Sequence, residues 1–232
     1  MTLIDTLLND IDNILKRDPA ATSRFEVVTC YPGLQAIWIH RISHKMFIRD
    51  WLWAARFLSA LARWLTGVEI HPGAKIGRNV FIDHGMGVVI GETAEVGDGC
   101  TIYQGATLGG TSLYKVKRHP TLGKNVIVGA GAKILGGFTV GDGARIGSNS
   151  VVVKPVPAGQ TAVGVPARLI GSHKQDVDVI TTNNETMTPQ IVFNAYGVLA
   201  TDDDPVQASL EKLRQQLLAQ QLQIDTLLKK IA

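Results

Sequence analysis

Apolar positions change their spacing along the chain, and each change predicts a different kind of structure. Up to about residue 66 they recur at helical intervals, as in Leu3, Leu7, Ile11 and Leu15 and then Ile37, Ile42, Trp51, Phe57, Leu58, Leu61 and Leu65, the period that puts one face of a helix on a core. A small helical domain over residues 1–66 is expected. From 67 to 171 the interval becomes six. Branched apolar residues fall at Ile70, Ile76 and Ile82, resume after a slip at Ile90, Val96, Ile102 and Leu108, and resume again at Leu122, Val128, Ile134, Val140, Ile146 and Val152. A helix cannot keep a six-residue repeat on one face, whereas short strands joined by tight turns can.

The residues between the apolar ones agree. Glycine follows directly at 77, 91, 97, 109, 123, 129, 141 and 147, and small side chains stand four positions on at Ala74, Ala94, Cys100, Ala106, Ala132, Ala144 and Ser150. Glycine tolerates a sharp bend and a small residue fits inside a corner. Three such units close one triangular coil, coils stack about 4.8 Å apart by main-chain hydrogen bonds, and the apolar residues ladder up the interior. The fold class expected is therefore α+β, a helical domain followed by a parallel β-helix over 67–171. Of the 24 glycines, 22 lie between Gly67 and Gly171, so Gly33 and Gly197 are the exceptions.

The remaining chain reads differently. Residues 172–205 are polar, with Thr181 to Asn184 and Asp202 to Asp204 before Pro205, a composition that suits a linker. Over 206–232, Val206, Leu210, Leu213, Leu217, Gln220, Ile224, Leu227 and Ile231 alternate spacings of three and four. This is a heptad seam, read either as a short C-terminal coiled coil or as one amphipathic helix packed on its own domain.

Composition removes several functions. Lys and Arg exceed Asp and Glu by 23 − 20 = 3, too mild a bias for nucleic acid without a concentrated basic face. The N-terminus carries Asp5, Asp10 and Asp12 where a secretory signal wants a basic start and an apolar core. The apolar stretch from Trp51 to Val68 is interrupted by Arg56 and Arg63, so no membrane span and a cytoplasmic location are expected. Cys30 and Cys100 have no metal-binding spacing, and neither suggests a nucleophile.

Both slips in the six-residue register carry candidate chemistry. The first lies beside Asp83 and His84; the second holds Gly109 to Pro120, too long for a corner and expected to protrude as a loop. Loops on a rigid scaffold are favoured places for binding groups.

The segments Glu69-Ile70-His71-Pro72, Ile82-Asp83-His84-Gly85, Gly91-Glu92-Thr93, Thr107 to Thr111, Arg118-His119-Pro120, Gly129 to Leu135 and Gly164 to Arg168, together with Arg17-Asp18-Pro19, resemble the serine O-acetyltransferases among the hexapeptide-repeat acyltransferases. The resemblance implies a left-handed coil, a homotrimer rather than a dimer of trimers, and catalysis in clefts between neighbouring subunits. The hand comes from the resemblance, since crossover rules alone favour the right hand.

It also implies roles. Acetyl transfer from acetyl-CoA to the hydroxyl of L-serine needs a base for the alcohol proton, and an imidazole suits that task. His84 matches the base, able to return the proton to the departing thiolate without an acyl-enzyme. Glu69 stands where the family often has Asp to orient that ring. Asp18 and Asp83 match contacts to the substrate's ammonium, Arg118 and His119 contacts to its carboxylate, and Glu92 orders the cluster. Gly110, Thr111, Ala130, Arg145 and Ser148 match positions along acetyl-CoA, a co-substrate; no cofactor and no metal are implied. Family members dock a C-terminal isoleucine into the sulfhydrylase that follows, but this chain ends Lys230-Ile231-Ala232. A competing reading on the same scaffold is a zinc carbonic anhydrase using His71, His84 and His119, although the closely spaced histidine pair of that type is absent. Acyl transfer to a sugar or homoserine is the nearer rival.

Overall fold

The computed structural model describes residues 3–170 and 213–221. Four helices come first: α1 (Leu3–Arg17), α2 (Arg24–Cys30), α3 (Pro32–Phe47) and α4 (Leu52–Thr66). Ser23 starts α2 by accepting a hydrogen bond from the Glu26 N–H at 3.2 Å, while Glu26 Oε2 accepts from the Thr22 N–H at 2.8 Å, a reciprocal cap for otherwise orphaned donors. Asp10 joins α1 to α3 by accepting from Trp38 Nε1 at 3.1 Å and from Arg41 Nη2 at 3.0 Å. Pairing a buried carboxylate in this way offsets its desolvation. Gly67, at φ 71°, ends α4 in the left-handed conformation that glycine adopts without strain.

The repeat then forms a parallel β-solenoid of about five turns. The first coil holds β1 (Glu69–Ile70), β2 (Lys75–Ile76) and β3 (Phe81–Asp83), and the second β4 (Val89–Ile90), β5 (Glu95–Val96) and β6 (Thr101–Tyr103). The third holds β7 (Thr107–Gly109), β8 (Thr121–Leu122) and β9 (Ile127–Val128), and the fourth β10 (Lys133–Leu135), β11 (Thr139–Val140) and β12 (Arg145–Ile146). The coil ends with β13 (Val151–Val152), β14 (Thr161–Gly164) and β15 (Ala167–Ile170), which turns back antiparallel on β14. Three faces result: β1-β4-β7-β10-β13, β2-β5-β8-β11 and β3-β6-β9-β12-β14 extended by β15.

Strand register matches the six-residue ladder. Ile70, Ile90, Leu108, Ile134 and Val152 stack up the first face, and Ile82, Ile102, Val128, Ile146 and Ala162 up the third. These side chains form one buried core with the corner residues Ala74, Ala94, Cys100, Ala106, Ala132 and Ala144. Removing this apolar surface from water is the main stabilising term. Cys100 is buried among them, and burial pushes its thiol up to about 11.

Gly33 joins the helices to the coil. A Cβ there would lie 2.0 Å from the Ile82 carbonyl oxygen, so the first turn of α3 can rest on β3 only because residue 33 has no side chain. The helical region and the coil accordingly make one compact unit. In the second unit, 213–221 are helical and expose Leu213, Leu217 and Leu218. The polar linker at 172–205 and the rest of the heptad seam, with the two readings of it, lie outside the described residues. No described helix is long and apolar enough to cross a membrane.

Candidate active site

The candidate side chains gather on two edges of the prism. The edge between the third and first faces carries Asp18, Asp83 and His84. His84 follows β3 at φ 58°, an uncommon conformation for a residue with a side chain and one found repeatedly at functional positions. The extra residues of the first register slip form this corner, held by Gly85 N–H to Asp83 O at 2.7 Å and Gly87 N–H to Gly67 O at 2.9 Å. The His84 ring points outward, 70% exposed, with Nε2 3.9 Å from Asp83 Oδ1.

Asp83 is half-buried, and its pKa is raised, first by burial and then by the nearby Asp18 carboxylate, against the opposing pull of His84 and Arg17. Asp18 accepts from the Ala20 N–H at 2.8 Å and from the Tyr31 hydroxyl at 2.6 Å. Its neighbour Arg17 clamps the segment to the coil by donating to Asn79 O and Gly99 O, both at 3.3 Å, and to the Thr101 hydroxyl. The Arg17 guanidinium also lies 5.6 Å over the Phe81 ring. Two carboxylates and an imidazole thus face the same small region, suited to an ammonium group and a proton acceptor side by side.

Glu69 begins β1, and its carboxylate accepts from Arg63 Nη1 of α4 at 3.0 Å. The acid in ion-pair range of the His84 ring is Asp83.

The edge between the first and second faces carries Glu92, Arg118 and His119. The segment from Gly110 leaves the coil as a loop whose tip is open to solvent, with Leu113, Tyr114 and Val116 exposed, and returns at β8. Arg118 Nη2 donates to Glu92 Oε2 at 2.7 Å. Thr93 fastens the return: its hydroxyl oxygen accepts from the N–H groups of Arg118 and His119, both at 3.1 Å. Its own backbone N–H donates to His119 Nδ1 at 3.2 Å. That contact makes Nδ1 an acceptor, so the neutral ring carries its proton on Nε2. Burial, reinforced by Arg118, lowers the His119 pKa, which keeps the ring a neutral donor. Glu92, Arg118 and His119 can therefore present one cation and one N–H to a carboxylate.

The acetyl-CoA candidates divide in the same way. By extension of the strand register, Ala130 and Ser148 stack above His84 on its edge. Gly110 and Thr111 begin the loop on the other edge, and Arg145 lies on β12 in the third face. Sequence reasoning missed Tyr31, whose spacing carries no catalytic signature, and gave Thr93, though part of a quoted segment, no role of its own. Of the histidines in the zinc reading, His84 is on one edge while His71, whose Nδ1 accepts from the Gly73 N–H at 2.9 Å, feels His119 and Arg118 on the other. Among the described residues no group of three or more His, Cys, Asp or Glu stands close enough to hold a metal ion.

Comparison with known proteins agrees with the repeat and with these motifs. Residues 119–154 match the bacterial transferase hexapeptide family (six repeats). A serine acetyltransferase from Helicobacter pylori (strain J99 / ATCC 700824) is 58% identical over 160 residues, which cover 69% of this chain and 94% of that protein. Among solved structures, the Neisseria gonorrhoeae serine acetyltransferase in complex with serine is similar with a TM-score of 0.70 and 39% identity, over 72% of this chain and 69% of its own. A serine acetyltransferase in complex with CoA is similar with a TM-score of 0.68 and 42% identity, over 72% and 69%. With its hexapeptide coil, its Asp-His corner and its Arg-His loop, the chain belongs to the serine acetyltransferase family of acyltransferases.

Proposed function

We propose that this chain transfers the acetyl group of acetyl-CoA directly to the hydroxyl of L-serine, giving O-acetyl-L-serine and CoA as the first step from serine to cysteine, in a crevice shared by two copies of a homotrimer. The observation that carries this reading is the division of the site between two edges. A prism side of six residues spans up to about 20 Å, whereas serine's ammonium and carboxylate are attached to a single carbon. One edge offers Asp18, Asp83 and the His84 ring; the other offers Arg118 and His119. One serine reaches both sets only when the His84 edge of one copy meets the Arg118 edge of the next. Between these edges α4 exposes Trp53, Phe57 and Trp64, an apolar surface of the kind that joins copies.

In this mechanism the imidazole of His84 takes the proton of the serine hydroxyl as the oxygen attacks the thioester carbonyl. The tetrahedral intermediate collapses with cleavage of the C–S bond, and the imidazolium returns the proton to the thiolate. Glu69, turned from Arg63 to the imidazolium, orients the ring and stabilises its charge. Neighbours bound to serine and to CoA support this substrate pair. The pantetheine arm follows Ala130 and Ser148 up the His84 edge, while Gly110 and Thr111 of the adjoining copy form the opposite wall and Arg145 meets the phosphates. No cofactor takes part, and docking of the C-terminal tail to the sulfhydrylase is a separate proposal.

The test is thiol release from acetyl-CoA across a panel of amino acids, homoserine and sugars, with wild type and His84→Ala. Serine is expected to be the preferred acceptor, and the alanine variant to keep its fold and trimer mass while losing activity by orders of magnitude. A folded, fully active His84→Ala rejects the mechanism. Turnover preferring another alcohol rejects the substrate.

A further inference from the structure

We infer that Tyr31 is a positioning residue for the amino-group end of the substrate site, holding the Asp18 carboxylate where it shares an ammonium with Asp83. The inference rests on the serine reading above and goes beyond it by giving a role to a residue outside every motif in the sequence.

Three observations carry it. First, the Tyr31 hydroxyl donates to Asp18 Oδ2 at 2.6 Å, while Oδ1 accepts from the Ala20 N–H at 2.8 Å. Each carboxylate oxygen is thereby fixed and keeps a lone pair for another donor. Second, Tyr31 is itself held at both ends. Its carbonyl caps α3 by accepting from the Leu34 and Gln35 N–H groups at 3.1 and 3.3 Å, and its side chain packs against the buried cluster formed by Ile11, Ile14, Val27, Leu34 and Phe81. Phe81 begins β3, the strand that ends in Asp83, so Tyr31 ties the loop after α1 to the strand that carries the partner acid. Third, the pair it completes is electrostatically unfinished. The Asp18 carboxylate raises the cost of ionising Asp83, and the adjacent Arg17 directs its donors to Asn79, Gly99 and Thr101. A cation arriving between the two acids relieves that repulsion.

Burial and the Asp18 carboxylate also push the Tyr31 hydroxyl above its ordinary pKa. At neutral pH it therefore stays a neutral donor to Asp18 and adds no third negative charge beside the two acids.

Tyr31→Phe removes the donor and leaves the ring in its apolar setting. The Michaelis constant for serine is expected to rise about tenfold, the size of one hydrogen bond to a charged group, while kcat and the Michaelis constant for acetyl-CoA stay within about twofold. The inhibition constant of 3-hydroxypropionate, which keeps the hydroxyl and carboxylate but lacks the ammonium, stays unchanged, a split that a general loosening of the fold does not produce. In an Asp18→Ala background the Tyr31→Phe change adds nothing. Serine binding by calorimetry on the same proteins reads the same tenfold without turnover. An unchanged serine affinity, an equal loss of 3-hydroxypropionate binding, or additivity with Asp18→Ala overturns the inference. A wild-type protein that neither binds nor acetylates serine overturns the reading beneath it, and shows this before any substitution is made.

Discussion

The ring of His119 occupies the space where a side chain at Gly91 would begin: a Cβ at position 91 would lie 2.0 Å from the ring's Cδ2. Gly91 follows the apolar ladder residue Ile90, so one glycine serves both the coil's corner and the seat of a site histidine. Gly91→Ala is expected to displace the ring by about an ångström and lower kcat/KM for serine about a hundredfold, with a smaller effect on thermal unfolding. Steady-state kinetics beside a thermal melt check this; a folded alanine variant with wild-type kcat/KM removes His119 from serine binding.

Glu69 and Arg63 form an ion pair at 3.0 Å on a partly exposed surface, a pairing worth little by itself. If the carboxylate leaves Arg63 to orient the His84 ring during turnover, Glu69→Gln lowers kcat by at least about tenfold, whereas Arg63→Ala leaves kcat intact. The two variants assayed together separate orientation from surface pairing. A Glu69→Gln enzyme with wild-type kcat makes Asp83 the sole acid partner of that ring.

His40 gives the protein a pH-dependent stability. It is buried in α3, and burial, with His44 and Arg41 adding to it, pushes its pKa down to about 3. The unfolded chain binds this proton below about pH 6.5 and the folded chain does not, so stability falls as pH drops through that value. For His40 the loss at pH 5 is about 2 kcal/mol. His71, lowered to about 4, acts in the same direction. The melting temperature is expected to fall between pH 7 and pH 5, and a folded His40→Gln variant to show a shallower fall. Equal slopes contradict the assignment.

The coil was legible in the sequence because a six-residue interval has few physical solutions, and the strand register reproduces the ladder from Ile70 to Val152. The two interruptions announced the corner at His84 and the loop ending at His119. The Tyr31 to Asp18 bond was not legible, since it joins residues thirteen apart across the whole of α2, and neither has a periodic signal. Gly33 stood out only as an exception until its approach to Ile82 gave the reason. Thr93 was hidden for another cause: its work is done by one hydroxyl and one backbone N–H, which any surface threonine also has.

The loop from Gly110 to Pro120 leaves the prism between β7 and β8 without disturbing the pairing of either strand, and Leu113 at its tip is fully exposed. Its length is thus uncoupled from the hydrogen-bonded scaffold below, since chain added at such a tip adds only a slowly growing closure entropy. Residues at this tip can therefore be lengthened or exchanged without repacking the stacked interior.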